Sequence, residues 1–125
     1  MLGEYFTIEN RKTEGDKVIF SVILNPNHKV YEGHFPGMPV CPGVCNIQMI
    51  KECIEQMTGK KLLIDNIAQC KFSSIITPVE NPKLLICVQI AETEEKLYKA
   101  RVNITNPENS VTFIDFKAEF SIVEN

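Results

Sequence analysis

The sequence predicts an α+β protein in which an antiparallel β-sheet surrounds one main helix. One segment of the 125 residues has apolar residues at helical spacing, whereas β-branched residues and apolar alternation recur in several others. Because a single helix cannot form a core with itself, the economical arrangement packs it against a curved sheet. The length suits one domain, and we expect residues 1–125 to form it.

Composition and charge exclude several classes of function. Hydrophobic residues make up 44% and charged residues 23%, the balance of a globular protein. The formal net charge of -3 argues against electrostatic binding of nucleic acid or of an anionic membrane surface. No stretch approaches the roughly 20 apolar residues that span a bilayer, and the N-terminus lacks the basic and apolar pattern of a secretory signal. We therefore expect a cytoplasmic protein.

The cysteine pattern does not favour a metal site or disulfides. No two cysteines are spaced as C-x₂-C, and only two histidines, His28 and His34, are available to complete a metal site. An odd number of cysteines without a secretion signal fits reduced, mostly buried thiols. The five are Cys41, Cys45, Cys53, Cys70 and Cys87.

Strand character occurs on both sides of the helical segment. Residues 5–8 and 17–24 are rich in β-forming residues, and the polar sequence RKTEGD between them predicts a turn. After residue 59 the predicted strands cover 62–76, 84–90, 96–104 and 111–123. In the last of these, alternation predicts one apolar face made of Phe116, Ala118, Phe120 and Ile122.

The helix is predicted over about residues 43–58. Pro42 and Gly43 stand at its start, where a proline needs no hydrogen-bond donor, and Gly59 is placed as the residue that ends it. Spacings of three and four residues form one apolar stripe, consisting of Ile47, Ile50, Ile54 and Met57.

Residues 33–44, GHFPGMPVCPGV, are the segment best suited to chemistry. Three prolines and three glycines fix an irregular backbone immediately before the helix. His34 there can titrate near neutral pH, and the N–H groups of Gly43 and Val44 can stabilise a developing oxyanion. The residues alone leave a plainer reading open, in which His34 packs in the loop and the prolines only cap the helix.

The string GHFPGMPVCPGV closely resembles the signature of the hot-dog (3R)-3-hydroxyacyl-acyl-carrier-protein dehydratases of the FabA/FabZ type. The order of elements is similar from Val18 to Val123, and the specific part is residues 25–59. The later sequence KFSSIITP resembles the strand that follows the helix in that family. The resemblance implies a hot-dog fold and dehydration of a 3-hydroxyacyl thioester to a trans-2-enoyl thioester, in fatty-acid or related lipid biosynthesis.

The resemblance also implies roles for individual residues. His34 matches the catalytic histidine that removes the α-proton, and Gly43 with Val44 matches the backbone donors to the thioester carbonyl; Phe35 and Gly37 fall in the same substrate-binding motif. The acyl chain is carried on the phosphopantetheine of an acyl carrier protein, and no metal, nucleotide or flavin cofactor is implied. In the family, histidine and acid come from different protomers, which predicts at least a homodimer.

One departure from the family concerns the general acid. The family places Glu or Asp where this chain has Gln48, and often Gln where this chain has Glu52. An amide cannot supply the proton with which hydroxide leaves as water. Residues four apart share a helix face, so Glu52 is a candidate replacement, the other possibility being a solvated surface residue.

This departure keeps two further functions open. One is a hot-dog acyl thioesterase, in which Gln48 or Glu52 positions a hydrolytic water at the same carbonyl. The other is a catalytically incomplete partner subunit that donates His34 to a hetero-oligomer with a homologue.

The N-terminal segment also lacks the family's usual His- and Pro-containing sequence, which favours a specialised pathway over general fatty-acid synthesis.

Overall fold

The computed structural model describes residues 3–32, 39–93 and 97–123. Six strands and one α-helix, with one short 3₁₀ helix, make up the regular structure of these residues. In chain order the elements are β1 (Phe6–Glu14), β2 (Lys17–Leu24), the 3₁₀ turn (Lys29–Tyr31), α1 (Gly43–Thr58), β3 (Leu62–Phe72), β4 (Lys83–Glu92), β5 (Leu97–Thr105) and β6 (Thr112–Ile122).

The strands form one antiparallel sheet in the order β1-β2-β4-β5-β6-β3. The segment between β2 and β3 contains α1, so the chain leaves the sheet beside one edge and returns at the other. Both β1 and β3 are edge strands. The predicted α+β class, an antiparallel sheet with one main helix, is confirmed.

The core lies between α1 and one face of the sheet. The helix buries the side chains of Asn46, Met49, Ile50, Cys53 and Ile54. The alternation predicted for the last strand is confirmed, since Phe116, Ala118 and Phe120 are buried while Lys117 between them is exposed. Ile122 packs half-buried at the margin of the same core.

Both ends of α1 lie where the sequence predicts them. Pro42 occupies the N-cap with an extended backbone. The helix requires no N–H group from the residue at this position, so the missing N–H of proline carries no penalty. Gly59 ends the helix in the left-handed region at φ 70°, which a residue without Cβ adopts at little cost, and its N–H bonds to the Glu55 carbonyl.

The turn predicted at RKTEGD is wrong over most of its length. β1 continues through Glu14, and the connection to β2 is the two-residue turn at Gly15 and Asp16, where Gly15 takes φ 62°. Residues 9–14 are exposed because β1 is an edge strand, so they lack the apolar alternation that reveals a half-buried strand. The strand predicted over 62–76 is also shorter, since β3 ends at Phe72.

All five cysteines are free thiols, two of them buried and three half-buried. In the described ranges, no three His, Cys, Asp or Glu side chains gather as a possible metal site. Within those same ranges, no helix has the length and apolar character to cross a membrane.

Candidate active site

A cleft of about 410 Å³ opens at the first turn of α1. One wall is the start of the helix, and the other is the chain that leaves β3. Among the described residues, the cleft is lined by Val40, Cys41, Gly43, Asn46, Phe72, Ser73, Ser74, Ile75, Ile76 and Ile114. The wall is mostly apolar with few polar groups, the usual composition of a site for a small organic ligand.

Backbone donors lie at the helix end of this cleft. The first bonds of the helix run from the N–H groups of Cys45 and Asn46 to the Pro42 carbonyl, at 3.1 and 3.2 Å. The N–H groups of Gly43 and Val44 therefore have no acceptor within the helix. They lie at the positive end of the helix dipole, where an oxygen that gains negative charge is stabilised.

Gly43 also allows a close approach between the helix and Phe72. A Cβ at position 43 would lie 3.0 Å from Cζ of the Phe72 ring. That separation is shorter than ordinary carbon–carbon contact. The Phe72 side chain is 52% exposed, so the ring covers the helix start from the solvent side. A side chain at position 43 would therefore press against the Phe72 ring, and glycine avoids this contact.

A buried hydrogen bond joins the residue immediately before β1 to the first turns of α1. The Tyr5 hydroxyl donates to Oδ1 of Asn46 at 2.8 Å. Tyr5 is fully buried and Asn46 is 3% exposed. Burial raises the pKa of Tyr5 above its ordinary value, with the neighbouring Cys41 and Tyr31 contributing. The hydroxyl thus stays protonated and remains a donor.

A second polar contact joins the two sides of the sequence that contains His34. The Tyr31 hydroxyl and the Cys41 Sγ lie 3.3 Å apart in a buried hydrogen bond. The Cys41 N–H donates to the Ile76 carbonyl at 2.8 Å, which ties this point to the far wall of the cleft. Burial raises the pKa of Cys41, which keeps the thiol protonated. Residues 31 and 41 are therefore held at a fixed separation.

His28, the second histidine, has a structural environment. Its Nδ1 accepts the N–H of Val30 at 3.0 Å and caps the 3₁₀ turn. Its ring meets the Tyr5 ring edge-on, with the ring centres 5.6 Å apart. These contacts give His28 a structural role in the segment between β2 and α1.

The other catalytic and substrate-binding residues expected from the sequence divide into two groups. His34, Phe35 and Gly37 lie outside the described residues. Gln48 and Glu52 are both half-buried and lie one turn apart on α1, and Oε2 of Glu52 is shielded from solvent. Neither of these two side chains lines the cleft within this chain.

A larger hollow, of about 520 Å³, lies against the sheet near Lys99, Arg101 and Lys117. These side chains alternate with buried residues of β5 and β6, so they point away from α1. Among the described residues that line this hollow, none belongs to the start of α1. We therefore place the candidate site at the smaller cleft.

Sequence reasoning missed the buried polar residues at the cleft. Asn46 lies four residues before Ile50 and therefore on the apolar face of the helix. A polar residue at such a position is the signal that would have identified it, because a buried amide needs partners. Tyr5 and Tyr31 are distant in sequence from the helix and carry no comparable signal.

The chain is similar to known dehydratases in sequence. The model of the ApeI-like family, described as ApeI dehydratase, matches residues 10–112. A 3-hydroxyacyl-[acyl-carrier-protein] dehydratase FabZ from Thermoanaerobacter sp. (strain X514) is 28% identical over 95 residues, 70% of this chain and 66% of that protein. A FabZ from Lactiplantibacillus plantarum is 30% identical over 77 residues, 56% of this chain and 52% of the relative. The chain therefore spans less than two thirds of the length of each of these curated relatives.

Solved structures give the same fold. The dehydratase heterocomplex ApeI:P from Xenorhabdus doucetiae superposes with a TM-score of 0.70 at 20% identity, covering 92% of this chain and 96% of that one. The dehydratase domain from the CurJ module of curacin polyketide synthase gives 0.59 at 11% identity, covering 94% of this chain and 42% of that one. The predicted hot-dog fold is thereby confirmed. With the family model matched over most of its length, the chain belongs to the ApeI-like dehydratase family.

Proposed function

We propose that this protein dehydrates a (3R)-3-hydroxyacyl thioester, carried on an acyl carrier protein, to the trans-2-enoyl thioester. The observation that carries the proposal is that the GHFPG…PGV motif leads in sequence into the first turn of α1, which adjoins an apolar cleft. In this assignment the thioester carbonyl binds at Gly43 and Val44, and the acyl chain lies along the cleft. Family membership supports the reaction class.

The elimination needs a base and an acid. His34 takes the α-proton, the electron pair of that C–H bond becomes the new C=C bond, and the β-hydroxyl leaves with one added proton as water. The carbonyl oxygen gains negative charge as the proton leaves, and the helix N-terminus stabilises it. The Tyr31–Cys41 hydrogen bond supports this role because it fixes the chain on both sides of the His34 segment.

We assign the acid to Glu52, with Gln48 as the residue that orients the departing hydroxyl. The two lie on one face of α1, and the shielded Glu52 oxygen argues against a fully solvated surface carboxylate. Neither side chain reaches the cleft of its own chain. A composite site, in which the acid comes from a second chain, accounts for that separation.

The exposed edge of the sheet supports such an assembly. Large apolar side chains stand exposed along β3 and the chain after it, namely Leu63, Ile67, Phe72 and Ile75. An edge strand with exposed apolar residues favours pairing with another strand, whereas β1 at the opposite edge exposes mainly polar residues. We propose at least a homodimer formed along β3, with a hetero-oligomer of homologues as the alternative.

The assembly is testable by sedimentation at micromolar concentration. The wild type should sediment above the 14.2 kDa of one chain. Ile67→Lys should favour the monomer, while Thr7→Lys on the other edge strand should not. A wild type that sediments only as a monomer removes the basis for the composite site.

Two other functions remain candidates because of Gln48. In the thioesterase alternative, the same carbonyl site is used and Gln48 or Glu52 positions water for hydrolysis. In the second alternative, the chain is an incomplete subunit that works with a homologue. The similarity to ApeI:P, a dehydratase heterocomplex, motivates this possibility.

The remaining parts of the proposal concern context. We propose one domain over residues 1–125 and a cytoplasmic location. We propose no cofactor beyond the phosphopantetheine of the carrier, and no nucleic-acid or membrane partner. The pathway is fatty-acid synthesis or a related specialised lipid or polyene pathway.

The product of the wild-type protein distinguishes the three functions. The protein is incubated with 3-hydroxyacyl and with saturated acyl thioesters, and enoyl thioester is separated from free acid. Enoyl product supports dehydration, and free acid from both substrates supports the thioesterase. Inactivity that is relieved by adding a homologue from the same genome supports the incomplete subunit.

A further inference from the structure

A buried amide faces the cleft beside the backbone donors. Asn46 lines the cleft although only 3% of its surface is exposed, and it lies three residues after Gly43 on the same helix face. Its small exposed surface therefore belongs to the cleft. A buried Asn at such a position is not explained by helix packing, because its desolvation is unfavourable unless the amide is hydrogen-bonded.

Tyr5 determines which end of this amide faces the cleft. The described residues supply one hydrogen bond to the Asn46 side chain, from the Tyr5 hydroxyl to Oδ1, and none to Nδ2. With Oδ1 occupied by this donor, the NH₂ group is the end left for a ligand. A phenol held protonated by burial has one proton to donate, so the orientation is maintained across neutral pH.

We propose that the Asn46 Nδ2 donates a hydrogen bond to the thioester carbonyl oxygen of the bound substrate, with Tyr5 as the residue that orients the amide. The carbonyl would then have a side-chain donor in addition to the N–H groups of Gly43 and Val44. Three donors fixed before the reaction stabilise the enolate oxygen more in the transition state than in the ground state. This proposal rests on the proposed dehydratase function, whose acyl thioester it places in the cleft.

The first test observes the carbonyl directly. Butanoyl-pantetheine labelled with ¹³C at the thioester carbonyl lacks a β-hydroxyl and cannot be dehydrated. Its carbonyl stretching frequency is measured by isotope-edited infrared spectroscopy, free and bound to the protein. The wild type should lower the frequency, and Asn46→Ala should lose a large part of that change. Tyr5→Phe, in which the amide is present but less well oriented, should fall between them.

Two further variants keep the test interpretable. Asn46→Asp keeps an acceptor for the Tyr5 hydroxyl and nearly the volume of the side chain, but its carboxylate cannot donate a hydrogen bond. This variant should therefore also lose the change in carbonyl frequency. It replaces Asn46→Ala in the test if the alanine variant does not fold. Asn103→Ala is the matched control on β5, outside the cleft. It should bind the probe with the wild-type frequency.

Catalysis provides the second readout. With a 3-hydroxybutanoyl thioester, Asn46→Ala should lower kcat by about 10²- to 10³-fold, the usual effect of removing one oxyanion donor, with a smaller change in KM. A purely structural role predicts a lower melting temperature with unchanged carbonyl frequency and kcat, and that result overturns the proposal.

The outcomes also separate this proposal from the proposed function. A wild type that shifts the carbonyl but forms no enoyl product contradicts the dehydratase function, while the loss of the shift in Asn46→Asp still supports the donor. If the wild type dehydrates normally and both position-46 variants match its carbonyl frequency and its rate, only the proposed role of Asn46 as a hydrogen-bond donor is contradicted. A wild type that neither binds the probe nor forms enoyl product contradicts both.

Discussion

Removal of the Tyr5 hydroxyl should destabilise the protein measurably. Tyr5→Phe keeps the aromatic ring in the core but removes the hydroxyl that donates to Oδ1 of the buried Asn46 side chain. Leaving a buried acceptor unsatisfied costs about 1–3 kcal/mol. With an unfolding entropy of about 2.1 cal/mol/K per residue, the melting temperature should fall by roughly 4–11 °C for this chain.

The assay is thermal unfolding followed by circular dichroism, with Tyr98→Phe as the matched control. Tyr98, on β5, is another buried tyrosine, but among the described residues its hydroxyl makes no hydrogen bond like that of Tyr5. The control should therefore change the melting temperature much less. Equal melting temperatures for Tyr5→Phe and Tyr98→Phe would refute the view that the Tyr5–Asn46 hydrogen bond stabilises the helix start.

Three further outcomes are expected. Gly43→Ala should push the Phe72 ring aside and lower kcat/KM by about 10²-fold with little change in melting temperature, because the half-exposed ring can move; a fall in stability with full activity would contradict this. Glu52→Gln should lower the dehydration rate by about 10²- to 10⁴-fold, whereas Gln48→Glu should preserve or raise it, both measured as enoyl thioester formation; a silent Glu52→Gln contradicts the acid assignment. Burial, with the Glu52 charge contributing, raises the pKa of Cys53 to about 12. The folded state therefore holds this thiol proton more tightly than the unfolded chain does. For that reason the free energy of unfolding should fall as pH rises from about 9 towards 12. Denaturant titrations across that range should show the stability difference between wild type and Cys53→Ala narrowing, and a constant difference would contradict the shift.

The helix and the inner strands could be predicted because burial leaves a periodic pattern in the sequence. Pro42 and Gly59 mark the ends of α1 through backbone chemistry that is local, so both ends are found correctly. Residues 9–14 could not be assigned to β1 in the same way. They lie on an exposed edge, where pairing with β2 rather than apolar alternation makes them a strand.

The candidate site shows the same division between local and long-range information. Gly43 and Val44 were identified because the motif and the helix start are contiguous in sequence. Asn46 depends on Tyr5, which is 41 residues away, and that hydrogen bond exists only after the segment before β1 has packed against α1. Neither periodicity nor a family motif reports such a contact.

The most direct test of the dehydratase mechanism is the rate of enoyl thioester formation by wild type and His34→Ala, with His28→Asn as the histidine control. Removing the general base should lower the rate by about 10²- to 10⁴-fold, while Asn at position 28 can still cap the 3₁₀ turn and should leave most of the activity. Circular dichroism establishes that both variants fold. Enoyl product formed by folded His34→Ala at close to the wild-type rate would contradict the assignment of His34 as the base.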